Sequence, residues 1–390
     1  MKRNDGHPPP PARRAGPTAV GDGAGLYVHV PFCRTKCPYC GFYSAPESGN
    51  ERRWLAALAR EAGHYRGVFP GFDTLYVGGG TPSLLTVGDI SRLFDILRGV
   101  FVFSAGCEAT IEANPDDVTA ERLAAWRGLG VARLSLGVQS FDDAVLRRLQ
   151  RRHDASAARG AIELAREAGF ANLAVDLIYG IEGQTLGSWM RTLEIALDRA
   201  PEHISCYELT IDPGTEFGAR RAAGTLRGMN ETAGRRFLLD TSALLRSRGY
   251  VHYEVSNFAR SAAHVSRHNL AYWRGVPYLG LGPSAHSFSG DARWWNVRSL
   301  DGYIAAAEDG RAPVEGREAI GEEERALESL SLGFRTADGV PLAALRRRPG
   351  WEAVLDRLVR DSLVSVAGDR AVPTVEGFCV ADRIALLFAA

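Results

Sequence analysis

Lysine is almost absent from this 390-residue sequence: of 46 basic residues only Lys2 and Lys36 are lysines, the rest being arginine. Beside the high alanine and glycine content, that skew reads as a GC-rich coding bias and carries no functional weight. Net charge is missing too, with 46 basic residues against 46 acidic. No global field therefore draws the chain to nucleic acid or an anionic membrane. No stretch reaches about 18 uninterrupted apolar residues, so no segment reads as a membrane-spanning helix. The start, Met1-Lys2-Arg3 and then Pro8 to Pro11, lacks an apolar core behind its charges and does not read as a secretory signal. A cytoplasmic protein is expected. Cysteine is scarce, six in all, and three of the six crowd into Cys33, Cys37 and Cys40. In a reducing compartment such a cluster argues for metal binding over disulfides. Cys107, Cys206 and Cys379 are expected to be small buried hydrophobes.

The composition that is present, 45% hydrophobic and 24% charged, is that of a globular protein of roughly two domains. Residues 1 to 24, rich in Pro, Gly and Arg, read as a disordered N-terminal tail. From about residue 25 to 255, strand-like runs (Leu26 to Val30, Thr74 to Val77, Glu108 to Glu112, Arg133 to Val138, Leu173 to Ile178, His203 to Thr210) alternate with amphipathic stretches. The latter include Glu51 to Tyr65, Val87 to Val100, Ala120 to Leu129, Ala155 to Ala168 and Leu186 to Ala200. Six βα repeats imply an α/β fold with a parallel sheet, either open or closed into a barrel, and periodicity does not choose between them. A segment rich in Gly, Pro and aromatics follows, Tyr253 to Trp295. Residues 301 to 390 read as a smaller, mostly helical domain, with helices over Gly321 to Gly333 and Trp351 to Leu363 and short strands over Leu363 to Val366 and Ala371 to Pro373.

The cysteine cluster lies in Tyr27-Val-His29-Val-Pro31-Phe32-Cys33-Arg-Thr-Lys-Cys37-Pro-Tyr39-Cys40-Gly-Phe42, just after the first strand. Three thiolates from one loop suit a [4Fe–4S] cluster and leave its fourth iron open to an outside molecule. The alternative is a zinc site with His29 or a distant fourth ligand, although zinc sites more often pair one C-x2-C with another. Gly78-Gly79-Gly80-Thr81-Pro82 ends the second strand, where missing side chains let a backbone approach a ligand closely, or where a tight turn is simply needed. Glu112, Gln139 and Asp176 stand in or just after the third, fourth and fifth strands. Each could be a solvated strand end, but all three fall where parallel α/β proteins gather ligand-binding groups.

The Y-x-H-x-P-F-C-x3-C-x2-C string resembles the radical S-adenosylmethionine (SAM) superfamily, in particular the HemN/HemW branch of coproporphyrinogen III oxidases and haem chaperones. The resemblance covers about residues 25 to 300 and implies a partial (β/α)6 barrel with a small C-terminal helical domain. It implies that Cys33, Cys37 and Cys40 hold [4Fe–4S], that SAM binds the open iron, and that an electron from the cluster cleaves SAM to a 5′-deoxyadenosyl radical. The matching SAM-binding positions are Tyr27, Tyr39, Gly79, Gly80, Thr81, Glu112, Gln139, Arg151 and Asp176. Arg151 sits in the arginine-rich run Arg147 to Arg152, which reads equally as a solvated basic face.

Ser266-Arg267-His268-Asn269-Leu270-Ala271-Tyr272-Trp273 carries an H-N-x2-Y-W element resembling the haem chaperones of that branch. Taken alone, a histidine near two aromatics is usually a packed core residue. With the resemblance, His268 becomes the candidate axial haem ligand, Asn269, Tyr272 and Trp273 its companions, and His286 and Tyr272 the reserves. The same branch implies apo-haem proteins, membrane cytochromes among them, as acceptors reached from the cytoplasm or peripherally at the membrane. It also implies a homodimer linked to cluster binding. The runner-up is a coproporphyrinogen III oxidase. Phe42 stands where that enzyme has a fourth cysteine, and the segment ahead of Cys33 is shorter than the enzyme's. Whether the chain turns SAM over is left open at this point.

Overall fold

The computed structural model describes residues 23–46 and 49–389. Nearly all of the expected disordered tail, residues 1–22, lies outside the described residues. Its last two residues are ordered: the Gly23 amide donates to Asp73 Oδ2 at 3.0 Å, and Ala24 opens the first strand.

Six strands follow the sequence alternation: β1 (Ala24–Val30), β2 (Phe72–Gly79), β3 (Phe103–Ala113), β4 (Arg133–Gln139), β5 (Leu173–Tyr179) and β6 (His203–Glu208). Helices Glu51–His64, Val87–Val100, Ala120–Gly128, Ala155–Glu167 and Leu186–Asp198 fall where the amphipathic pattern put them. Their starts have local causes. Thr86, Thr119 and Thr185 each accept a hydrogen bond from the amide three residues on, satisfying a donor the helix cannot. Thr185 and Ser188 close a reciprocal capping box.

The chain divides into two compact units. The first runs to Gly137 and adds Ala157–Leu173 and Val276–Ile320. In it β1, β2, β3 and β4 pair in parallel, and Tyr278–Leu281 pairs in parallel with the other side of β1. Beyond it the antiparallel strands His286–Phe288, Ala292–Asn296 and Val314–Ala319 extend the sheet. Six of the seven β1 residues are buried, Tyr27 being the half-exposed one, as expected of a strand covered on both faces. Trp54, Leu55, Leu58 and Ala62 bury one side of helix Glu51–His64 completely. Each large side chain so buried contributes about 1.5–3 kcal/mol.

The second unit comprises Val138–Ser156, Ala174–Gly275 and the chain from Gly321 on. Its β5 and β6 are parallel, and Val251–Glu254 and Asn257–Ala259 continue from β6 in antiparallel order. The C-terminal part holds helices Glu322–Gly333 and Trp351–Arg360 with a three-stranded antiparallel sheet, Val340–Pro341, Arg370–Pro373 and Val364–Ala367. Leu330, Phe334, Leu345, Leu358, Ile384 and Phe388 form its core. By compactness this part begins at Gly321, and helix Leu300–Glu308 and strand Val314–Ala319 go with the first unit.

The fold is thus mixed α/β around a large, mainly parallel sheet that does not close into a barrel. Of the three scattered cysteines only Cys206 is fully buried; Cys107 and Cys379 are half-buried. Among the described residues no helix is long and apolar enough to cross a membrane.

Candidate cofactor site

In the first unit, β1 delivers the cysteine loop and β2 delivers the glycine turn, side by side. The Gly80 amide donates to Val30 O at 2.7 Å. Phe32–Cys33 pairs in parallel with Ala45–Pro46, folding the loop back on itself. Cys33 Sγ lies 3.3 Å from Thr81 Oγ1, tying the two elements together. Cys33, Cys37 and Cys40 are all half-buried free thiols on this loop. Tyr39 is half-buried beside them, and Phe42, just beyond, is 67% exposed.

Burial pushes the Cys40 thiol pKa up, and charge on Cys37 and Cys33 pushes it further. Three thiolates here would repel one another unless a cationic centre neutralised them. Among the described residues no three His, Cys, Asp or Glu side chains gather around one ion position. Three soft sulfur donors on one loop suit an iron–sulfur cluster.

The glycines are required by their surroundings. A Cβ on Gly79 (φ +106°) would sit 2.6 Å from His29 Nδ1, and one on Gly80 would sit 2.8 Å from the carbonyl oxygens of Val30 and Phe32. The Gly79 amide donates to Glu112 Oε2 at 3.2 Å, while Tyr76 Oη donates to Glu112 Oε1 at 2.7 Å. The carboxylate at the end of β3 therefore stands at the glycine turn. Tyr27 is half-buried; its Oη lies 3.1 Å from His29 Nδ1, and its ring stacks near Tyr76 at 6.3 Å.

In the second unit, Gln139 ends β4 at φ +63°, and the Ser140 amide donates back to Val138 O at 2.7 Å. That i to i+2 bond around a positive-φ residue is a γ-turn of the strained kind. His153 Nε2 reaches the same Val138 carbonyl at 2.9 Å. Burial lowers the His153 pKa to about 4, so its ring is neutral and Nε2–H is the donor. The Gln139 turn and the Arg151 segment are thereby held together. Asp176 is half-buried in β5 opposite Ser205, close enough to Cys206 and Tyr207 for its charge to oppose theirs.

His268 lies in the seven-residue helix Arg267–Trp273 and is 2% exposed. Its Nε2 is 2.9 Å from Tyr272 Oη, the two rings meeting edge to face. Desolvation lowers its pKa to about 3, so the imidazole is neutral. Asn269 and Trp273 are half-buried, and the Asn269 amide donates to Ser266 Oγ at 3.4 Å. His286 is exposed and lies over Trp295 at 5.9 Å.

Comparison with known proteins decides the family. The profile of the Radical SAM superfamily matches residues 27–196. The protein named "Heme chaperone HemW" of Mycobacterium tuberculosis is 38% identical over 370 residues, covering 92% of this chain and 93% of the relative. The chain belongs to the HemW family of radical SAM proteins. Another HemW relative, from Bacillus subtilis, is 34% identical over 92% of this chain and 97% of its own length. Among solved structures, coproporphyrinogen III oxidase (HemN) from Escherichia coli, a radical SAM enzyme, superposes with a TM-score of 0.79 at 26% identity, covering 94% of this chain and 90% of that one. Membership of the superfamily implies a [4Fe–4S] cluster and SAM, and the donor set and glycine cradle fit both.

This HemW-family chain also carries structural residues: His29, named in the motif as an alternative zinc ligand, and Glu61 and His153, which motif reading passed over. His29 anchors the site: besides Tyr27 and the Gly79 turn, its Nε2 meets Tyr43 O at 2.9 Å. Burial lowers its pKa to about 4 and keeps it neutral. Glu61, fully buried, accepts from Gly282 N at 2.9 Å, Tyr303 Oη at 2.5 Å and Asn296 Nδ2 at 2.5 Å. It fixes the Gly282 turn behind His29, whose carbonyl oxygen would lie 2.5 Å from a Gly282 Cβ. A signal for Glu61 was present, since it falls seven residues after Trp54 and three after Leu58, on the apolar stripe of its helix. His153 had no such signal, because its role depends on a carbonyl fifteen residues away.

Proposed function

We propose that this chain is a haem chaperone that binds [4Fe–4S], SAM and haem and delivers haem to apo-haem proteins. The observation that carries this reading is the near full-length match to a HemW relative, 38% identical over 92% of the chain. Cys33, Cys37 and Cys40 would hold the cluster, which supplies an open iron for SAM and a one-electron reductant. Tyr27, Tyr39, Gly79, Gly80, Thr81, Glu112, Gln139, Arg151 and Asp176 are the proposed SAM-binding residues. Haem is the cargo. His268, neutral and flanked by Asn269, Tyr272 and Trp273, is the proposed axial ligand, with His286 the exposed reserve. Acceptors include membrane cytochromes, met from the cytoplasm or peripherally at the membrane, and the working form is a homodimer.

The second reading is an oxygen-independent coproporphyrinogen III oxidase, favoured by the likeness to HemN. One experiment separates the two. Protein reconstituted anaerobically receives SAM, reductant and coproporphyrinogen III, and porphyrin products and 5′-deoxyadenosine are quantified. The chaperone reading expects untouched porphyrinogen, and haem bound by the same preparation that moves to an apo-cytochrome on mixing. Decarboxylated product over many turnovers overturns it. Iron and sulfide that stay high in a Cys33→Ala, Cys37→Ala, Cys40→Ala variant would overturn the cluster assignment.

A further inference from the structure

We infer that the C-terminal segment Arg335–Asp338 is a clip that holds the helix Arg267–Trp273 shut over His268, and that haem loads only when this clip opens. The inference rests on the reading of His268 as the haem ligand.

A helix of seven residues has too few internal hydrogen bonds to hold itself, so its position is set by what packs on it, Tyr253 and Ala259 against Leu270 and Trp273, and by what grips its ends. At the first end, Ser266 N donates to Tyr253 Oη at 3.3 Å, and that oxygen is also 2.8 Å from His203 Nε2. This end is anchored inside the sheet. The other end is held from the C-terminal part of the chain. The Arg335 guanidinium lies over the Trp273 ring, 5.1 Å from its centre. Asp338 accepts from Arg274 Nη2 at 2.7 Å and from Nε at 3.2 Å. Between these two side chains the backbone is stitched to the strand Val251–Glu254 and its following turn. Thr336 bridges Glu254, Ala337 N donates to Tyr253 O at 2.9 Å, and Val255 N donates to Arg335 O at 3.0 Å. Arg335 is in turn paired with Asp382. The clip therefore contacts Trp273, the last residue of the H-N-x2-Y-W run, its neighbour Arg274, and the strand that anchors the first end.

The consequence for His268 is steric. An axial ligand must offer a ring nitrogen lone pair to an iron at the centre of a flat macrocycle, which needs open space on both sides of that nitrogen. Here Nε2 is 2.9 Å from Tyr272 Oη and the side chain is 2% exposed. In the described arrangement Nε2 is engaged by Tyr272 and the ring is covered, so haem requires this segment to open. The grips that the C-terminal segment adds are a cation–π contact and an ion pair whose partners are 38% and 51% exposed, both weak, beside the packing of Leu270 and Trp273 against Tyr253 and Ala259. A protein whose competent state is a minor fraction binds with its affinity reduced by that fraction. Removing both grips should raise the open fraction, and the haem affinity, by roughly five- to thirtyfold.

The test measures haem affinity of the full-length protein by titration with haemin. Four forms are compared: parent, Arg335→Ala with Asp338→Ala, the conservative Arg335→Lys, and His268→Ala. Amide exchange over 267–274 is followed without haem. The clip predicts tighter haem binding and faster exchange in the double variant, a smaller change in Arg335→Lys, and loss of binding in His268→Ala. Loss in His268→Ala with unchanged or weaker binding in the double variant overturns the clip and leaves the ligand in place. Retained affinity and spectrum in His268→Ala overturns the ligand reading, and the clip falls with it. Far-UV circular dichroism of the double variant identifies misfolding, and in that case Arg335→Lys alone decides, unchanged affinity and exchange counting against the clip.

Discussion

Replacing Glu61 gives the most quantitative check on the first unit. Its carboxylate takes three hydrogen bonds, from Gly282 N, Tyr303 Oη and Asn296 Nδ2. In Glu61→Ala, Asn296 Nδ2 keeps a partner in Gly282 O at 2.8 Å, while the Gly282 amide and the Tyr303 hydroxyl lose theirs. Each buried donor left unpaired costs about 1–3 kcal/mol, and the vacated volume adds to that, so a loss of about 3–5 kcal/mol is expected. Glu61→Gln behaves oppositely. Burial raises the Glu61 pKa from 4.5 to about 7. Between those values the folded state holds a proton that the unfolded state has released, so stability is full below about pH 4.5 and declines as pH rises through 7. The decline is about 3 kcal/mol at about 1.4 kcal/mol per pH unit. Glutamine removes the charge and this part of the slope, at the loss of the Asn296 bond, since its Nε2 then faces the Asn296 Nδ2 donor. Glu254, also raised to about 7 by burial, retains its own share until it too is replaced. Urea unfolding of parent and both variants from pH 4 to 8.5 reads these differences. A Glu61→Ala loss below 1 kcal/mol, or a Glu61→Gln slope equal to the parent's, would refute the reasoning.

Two further substitutions probe the ligand side. Gly79→Ala places a methyl 2.6 Å from His29 Nδ1 on a backbone at φ +106°; a cost of about 2–4 kcal/mol and loss of SAM retention in equilibrium dialysis are expected, and normal dialysis would contradict the cradle. Gln139→Gly relieves the positive-φ turn; it should raise thermal stability by an amount near 1 kcal/mol while weakening SAM binding, and a gain in stability with unchanged binding would show that the strain serves the fold alone.

Local chemistry made much of this legible in advance. The strands and helices of the βα alternation were readable because apolar periodicity and threonine caps act within a few residues, so Val87–Val100 begins and ends where the pattern says. The cysteine loop was readable because three thiols on one short loop need no tertiary partner to be recognised. The segment Tyr253 to Trp295 resisted such reading. It supplies Tyr278–Leu281, whose place beside β1 depends on pairing across about 250 residues. Nothing in the glycine and aromatic content of that segment specifies the pairing.

The sequence by itself therefore determined the secondary elements, the donor set and the family motifs, because each is written in neighbouring residues. Tertiary structure alone decided which carbonyl faces His153, which donors surround Glu61, that His268 is buried beside Tyr272, and that Trp273 and Arg274 meet Arg335 and Asp338. Burial and long-range pairing set those relations, and they exist only once distant segments have packed.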